Sequence, residues 1–255
     1  MIQRVKAKKE LGQHFLCNQE IAHRIAHSLV PSGSQEVLEV GPGMGVLTKY
    51  LISDHLRVVE IDRESIQYLG ERYPSLNIIH GDFLQLPLDE IFPEGVNIIG
   101  NFPYNISSQI FFKVLDHKEH VPQIVGMLQK EVARRICATP TGKEYGILSV
   151  LLQAYYTTEY LFEVGPENFE PQPKVQSAVI RLKRNEVMSL DCNEILLKRV
   201  IKATFNQRRK TIRNSLRSGF SELPAQANHP YMELRPERLS VAQFVELTNW
   251  IEKQL

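Results

Sequence analysis

The chain has 255 residues, is 43% hydrophobic and carries a formal net charge of +1. That composition can bury a full α/β core with room for a small second domain, and it excludes a membrane-spanning helix, because no apolar run reaches the ~18 residues one needs. Residues 1–10 are charged and lack the apolar stretch of a signal peptide, so a soluble, cytoplasmic protein is expected.

In chain order, a first helix is predicted over residues 19–29, ended by Pro31 and Gly33. Val37–Val40 reads as a short buried strand, and Gly41-Pro42-Gly43-Met44-Gly45 then leads into a helix carrying Val46, Leu47 and Leu51. Glycines at such a turn permit unusual backbone angles and the close approach of a ligand. The next strand, 57–59, ends at Glu60, at the spacing of a ribose-binding carboxylate. This resembles a nucleotide-binding half. A dinucleotide fingerprint would need glycine where Val46 stands, and Pro42 breaks its helix entry, so NAD is disfavoured.

Asp82 follows the apolar Leu76, Ile78 and Ile79, and Asn101-Phe102-Pro103-Tyr104 follows Val96, Ile98 and Ile99. In open α/β sheets ligands bind outside the carboxyl ends of the strands, so Gly41, Glu60, Asp82 and Asn101 are expected to line one crevice. Ser107 and Ser108 stand at a helix start, where a hydroxyl can cap free backbone N–H groups. Strand and helix patterns alternate to about Ala138; loops at 139–143 and 163–174 are expected to frame a pocket, and 175–183 alternates as a final strand. From 186 the periodicity turns helical, which divides the chain into a domain of residues 1–185 and a small α domain of 186–255. Pro224, Pro230 and Pro236 limit its helices, and Val241, Phe244, Val245, Leu247, Trp250 and Ile251 make a terminal amphipathic helix with Trp250 in its apolar stripe. Cys17, Cys137 and Cys192 are too isolated for a zinc site or disulfide framework and are expected to be buried free thiols.

The small net charge hides an asymmetry. Lys198, Arg199, Lys202, Arg208, Arg209, Lys210, Arg213 and Arg217 occupy one stretch without a single acid, leaving the rest of the chain net negative. Such a cluster is an electrostatic footprint for phosphate, whereas a merely solvated helix face interleaves both signs. Arg4, Lys6, Lys8 and Lys9 form a smaller basic group able to order over RNA or a cofactor.

The Asn101 tetrapeptide suits one demanding chemistry. Methylating the exocyclic amine of adenine requires pulling its lone pair out of conjugation, which two hydrogen-bond acceptors on the amine achieve. Asn101 has a side-chain carbonyl, and the backbone carbonyl of Phe102 can be the second if Pro103 fixes the turn. Tyr104 could stack on the base. An ordinary Asn-Pro turn closing a strand is the plainer alternative.

Taken together, GQHFL (12–16), LEVGPGMGVLT (38–48), VVEID (58–62), GDF (81–83), NFPYNIS (101–107) and PKVQSAV (173–179) resemble the ribosomal RNA adenine dimethyltransferases, in order and over nearly the whole chain. The resemblance implies a Rossmann-like class I methyltransferase sheet with helices on both faces, S-adenosylmethionine as cofactor, and no metal or general base. Phe205-Asn206-Gln207-Arg208-Arg209-Lys210-Thr211-Ile212-Arg213-Asn214 and Arg235-Pro236-Glu237-Arg238-Leu239-Ser240 are similar to the branch that dimethylates two adjacent adenosines near the 3′ end of 16S RNA in the small ribosomal subunit. It implies Glu60 as ribose ligand, Gly41 and Gly43 as backbone approach to the methionine part, Asp82 on the cofactor's adenine amine, and His14 and Leu16 closing over the methionine end. Asn101 and Tyr104 would hold the target adenine, with Phe169 stacking on its other face, and Arg208, Arg209, Lys210 and Arg213 would contact RNA. His14 stands where most relatives have Asn, and Phe102 where most have Leu. A monomer is expected. Large-subunit RNA as substrate, and a ribosome-assembly factor whose methylation is incidental, are the two rival readings.

Overall fold

Short runs of branched aliphatic residues set the strands, and capped amphipathic segments set the helices between them. The computed structural model describes residues 5–223 and 228–255; Arg4 and Pro224 lie outside them. β1 (Phe15–Leu16) precedes α1 (Gln19–Ala26), whose cap Asn18 accepts from the backbone N–H groups of Glu20 and Ile21. β2 (Val37–Val40), α2 (Thr48–Leu51), β3 (Leu56–Glu60), α3 (Arg63–Arg72), β4 (Asn77–His80), α4 (Leu88–Ile91), β5 (Asn97–Asn101), α5 (Ser107–Asp116) and β6 (Gln123–Gln129) follow. Then come α6 (Lys130–Cys137), α7 (Ile147–Gln153), β7 (Tyr156–Val164), β8 (Phe169–Glu170) and β9 (Ser177–Arg184). Three more helices complete the chain: α8 (Glu194–Phe205), α9 (Ile212–Gly219) and α10 (Val241–Glu252). α1 stops three residues short of its expected end, and α2 is a single turn because the glycine-rich segment before it is spent in turns.

The main sheet runs β4-β3-β2-β5-β6-β9-β7, with β4 through β6 parallel and β9 antiparallel to β6. Strand order reverses between β2 and β5, so right-handed crossovers place α2 and α3 on one face and α5 on the other. The reversal opens a crevice at the carboxyl ends of β2 and β5, where Gly41 and Asn101 begin the next segments. β1 pairs with β8, Leu16 opposite Phe169, and both side chains join the core formed by Ile25, Ile99, Met127 and Val179.

The chain divides into two compact units. One takes the described residues up to Ala133 with Thr157–Arg184; the other takes Arg134–Tyr156 with Asn185–Leu255. The expected division after residue 185 differs in one segment, because α7 buries Val150, Leu151 and Leu152 in the same unit as α8 and α10. Within that second unit Asn193 caps α8, and Ser240 and Gln243 form a capping box on α10. Phe205 and Phe244 meet with ring centroids 5.8 Å apart. Trp250 is half-buried against His229. The three cysteines are free but not buried, Cys17 being exposed on the turn between β1 and α1.

One packing detail governs the loop after β5. Gly100 and Gly126 face each other across β5 and β6, and the Phe102 ring, 1% exposed, lies on both. A methyl group on Gly126 would fall 2.3 Å from the ring. Phe102 therefore anchors the loop by its side chain as well as offering a backbone carbonyl. Gly126→Ala is expected to cost about 1–3 kcal/mol by overpacking, lowering Tm by roughly 3–10 °C. Adding Phe102→Leu should recover part of that loss in thermal melts; no recovery would place the strain elsewhere.

Candidate active site

The four strand-end residues do line one cleft, closed on its other side by residues 11–15. It is open to solvent and lined mainly by apolar surface with a few convergent polar groups. Gly41 and Gly43 take φ of 68° and 56°, a region that favours glycine, and this folds the turn back toward β3. The Gly43 N–H then donates to Glu60 Oε2 at 3.1 Å, while Ile61 and Asp62 N–H donate to Oε1, each at 2.9 Å. Glu60 is 5% exposed; burial pushes its carboxyl above the usual range, and the three N–H bonds oppose that. A carboxylate has about four acceptor positions, so one remains for a hydroxyl. Asp82 Oδ1 caps the turn at Leu84 N–H, and its other oxygen takes no hydrogen bond among the described residues. Ile61, 49% exposed on the cleft wall, supplies an apolar surface. A hydroxyl acceptor, an amine acceptor and an apolar face together fit a purine nucleoside.

Asn101 is oriented by its neighbour in space. Its Nδ2 donates to the backbone carbonyl of His14 at 2.9 Å. Because a carbonyl only accepts, the amide nitrogen must face it, and Oδ1 is turned away to accept an N–H from elsewhere. The contact uses the His14 backbone and so does not depend on the side chain at that position. The imidazole lies instead with Nδ1 2.7 Å from the Pro171 carbonyl and its ring 5.3 Å from that of Tyr104. Tyr104 OH pairs with Ser177 Oγ at 2.5 Å, and burial pushes its phenol up. Its ring borders a second cavity walled by Pro171, Pro173 and Val175. Pro103 lines the first cleft between Asn101 and Tyr104.

Several expected positions are not brought to this site. The Phe169 ring is 3% exposed and packs in the core, because pairing with β1 turns it inward; it presents no face to a base here. Leu16, also 3% exposed, packs beside it and reaches only the cavity behind the glycine turn. Ser107 does not cap α5; its hydroxyl donates to the Tyr104 carbonyl, and the cap position is Ile106. Arg208, Arg209 and Lys210 lie in the turn between α8 and α9. Arg208 stands 3.8 Å from Glu237, and Arg213 binds Glu233 at 2.8 Å and Asn228 at 3.0 Å. Arg209 and Lys210 are exposed. Lys8 is paired with Asp62 and Glu64 rather than left for RNA.

Glu39 was missed by sequence reasoning. It lies beneath the glycine turn, 1% exposed, and accepts from Thr48 Oγ1 at 2.7 Å. Burial pushes its carboxyl from 4.5 up to about 8, with the nearby Glu60 adding to the rise. An acid inside the otherwise apolar strand of Val37, Leu38 and Val40 was the available signal.

The sequence profile described as Ribosomal RNA adenine dimethylase matches residues 4–253. The chain is 54% identical to Ribosomal RNA small subunit methyltransferase A of Parabacteroides distasonis, covering 98% of this chain and 96% of that one. It is 53% identical to the protein of the same name from Cytophaga hutchinsonii, covering 98% and 99%. Among solved structures, a dimethyladenosine transferase from Plasmodium falciparum is similar with a TM-score of 0.78 at 24% identity, over 94% of this chain and 98% of that one. The 23S rRNA methyltransferase ErmE is similar with a TM-score of 0.68 at 24% identity, over 93% and 99%; at these identities the two structures speak to the fold.

Glu39 generates a pH prediction. Its folded carboxyl stays protonated to about 8, while the unfolded one ionises near 4.5, so between those values the unfolded state is favoured increasingly as pH rises. Glu39→Gln keeps an acceptor for Thr48 and should flatten the fall in Tm from about pH 5 to 8, Glu60 retaining part of the slope. An identical slope in thermal melts would mean that Glu39 is ionised in the fold.

Proposed function

The chain belongs to the ribosomal RNA adenine dimethylase family, and we propose that it is the S-adenosylmethionine-dependent enzyme that dimethylates the exocyclic amines of two adjacent adenosines near the 3′ end of small-subunit (16S) ribosomal RNA, in small-subunit biogenesis. The observation that carries the chemistry is the Asn101 amide, tied back to His14 so that its carbonyl oxygen is left for an amine N–H.

The cleft residues fit the cofactor. Glu60 keeps an acceptor for a ribose hydroxyl, Asp82 a free oxygen for the adenine amine and Ile61 a surface for the ring, while Gly41 and Gly43 allow close backbone approach. When bound, S-adenosylmethionine supplies a methyl group on a positively charged sulfur that is already a good leaving group. The protein's task is then positioning and polarisation. Asn101 Oδ1 and the Phe102 carbonyl accept the two N–H bonds of the target amine and draw its lone pair out of the ring. Tyr104 offers a stacking face worth about 1–3 kcal/mol, which offsets much of the few kcal/mol that extruding a base costs. Pro171, Pro173 and Val175 border the same cavity as Tyr104, and the buried Phe169 ring does not. No side chain is asked to remove a proton; the methylated amine loses it to water. After the first transfer one N–H remains, and one of the two acceptors is left without a donor.

On the basic cluster, the pairing pattern favours Arg209 and Lys210 as phosphate contacts, with Arg208 and Arg213 holding neighbouring segments.

Labelled S-adenosylmethionine offered with unmethylated small subunits, large subunits and naked RNA tests the reading. Four methyl groups on two adjacent small-subunit adenosines are expected. Label on large subunits would move the substrate to that RNA, and no label with cofactor and subunit both bound would favour an assembly factor. Asn101→Ala should abolish transfer while S-adenosylhomocysteine affinity in calorimetry stays within about tenfold; lost affinity with transfer retained would reverse the assignment. Arg209→Ala with Lys210→Ala should weaken subunit binding and lower its salt slope by roughly 1.5, at about 0.7–0.9 per phosphate contact. An unchanged slope would make that turn structural.

A further inference from the structure

The segment before β1 is held by contacts that the cofactor and target-base roles do not use. Lys8 N–H donates to Gln13 Oε1 at 2.8 Å, and the Leu11 and Gln13 N–H groups donate to the Lys8 carbonyl at 3.2 and 3.3 Å, so residues 8–13 close on themselves as a loop. Two donors leave that loop for one acid: Lys8 Nζ reaches Asp62 Oδ1, and Gln13 Nε2 reaches Asp62 Oδ2 at 3.3 Å. Lys8 also pairs with Glu64 at 3.1 Å. The Asp62 side chain is 1% exposed, so the pair is shielded on its acid side.

This contact joins both halves of the cleft. On one side the Asp62 N–H donates to Glu60 Oε1, the carboxylate proposed for the ribose. On the other, Gln13 is followed by His14, whose carbonyl receives Asn101 Nδ2. A capping role for Asp62 explains only part of the arrangement. It does cap α3, accepting from Glu64 N–H at 3.2 Å and from Ser65 Oγ at 3.1 Å, but neither bond calls for a lysine 54 residues away in sequence.

We infer that Lys8, Gln13 and Asp62 are positioning residues: their clip seats residues 11–14 over the cleft and so sets the carbonyl that orients the Asn101 amide. The inference rests on the proposed function in taking Asn101 as the residue that meets the amine. Burial alone would raise the Asp62 carboxyl, yet Lys8, Gln13 and the bonds from Glu64 and Ser65 hold it below its usual range, while Asp62 and Glu64 hold the Lys8 ammonium above its own. Both partners therefore stay charged around neutrality, and the clip is closed under ordinary conditions.

Lys8→Met, Lys8→Arg, Asp62→Asn and the Lys8→Met/Asp62→Asn double variant test this in the full chain. Asparagine keeps a capping acceptor for α3 while removing the charge. Two readouts are needed: kcat on small subunits at saturating S-adenosylmethionine, and the dissociation rate of S-adenosylhomocysteine from the free protein. Assayed well below each variant's Tm, Lys8→Met and Asp62→Asn are each expected to lower kcat about tenfold and to speed dissociation about tenfold. Lys8→Arg should restore both, and the double variant should be no worse than either single one, because the pair acts as a unit. Unchanged kcat and dissociation, losses that multiply in the double variant, or losses that track Tm would overturn the clip. An inactive wild type whose dissociation rates still follow the clip would instead remove the proposed function and leave the clip standing.

Discussion

Three backbone N–H groups converge on the Glu60 carboxylate, and the rest of the cleft is arranged around that convergence. A carboxylate this buried is tolerated only when hydrogen bonds replace the water it has lost. Donors come from two separate places: Gly43, in the turn after β2, and Ile61 with Asp62, where β3 passes into α3. Satisfying one acid therefore fixes the glycine turn to the next strand and sets where α3 starts. The shape available to a ligand between them follows from that single constraint.

Much of the parallel sheet was legible because its strands are buried runs bounded by polar residues or glycines. Val37–Val40 was readable to the residue, and Glu60, Asp82 and Asn101 were recognisable as strand-end groups by their position after such runs. What escaped had its cause in tertiary packing. Phe169 reads as a loop aromatic among prolines, and only its pairing opposite Leu16 turns the ring into the core. Arg208 and Arg213 are indistinguishable from Arg209 and Lys210 as letters; acids twenty or more positions downstream separate them. Ser107 had the residue type of a cap, but the neighbouring carbonyl of Tyr104 was the nearer partner. For Phe169 and the arginines the missing information was a contact between segments remote in sequence; for Ser107 it was a local competition between two backbone partners.

A distinction between backbone and side-chain roles applies at His14 and Phe102, the two positions where the sequence resemblance leads to an expected departure. At position 14 the contact with Asn101 is made by the backbone carbonyl, so it does not depend on which side chain stands there. At position 102 the side chain is itself the anchor, and the larger ring is accommodated by two glycines facing each other across adjacent strands. A phenylalanine at position 102 thus depends on a pair of small residues in the sheet.

The division of the chain into two interleaved stretches carries a consequence for how the protein is made and altered. The polypeptide passes from one unit to the other after Ala133, returns after Tyr156 and passes again after Arg184. During synthesis, β6 emerges without β9, its antiparallel partner, and α7 emerges without α8 or α10 to cover its apolar residues, so each unit waits on sequence that follows the other's first contribution. Neither unit can be excised by a single cut, and exchanging the helical unit between relatives by recombination would need three coordinated joins rather than one.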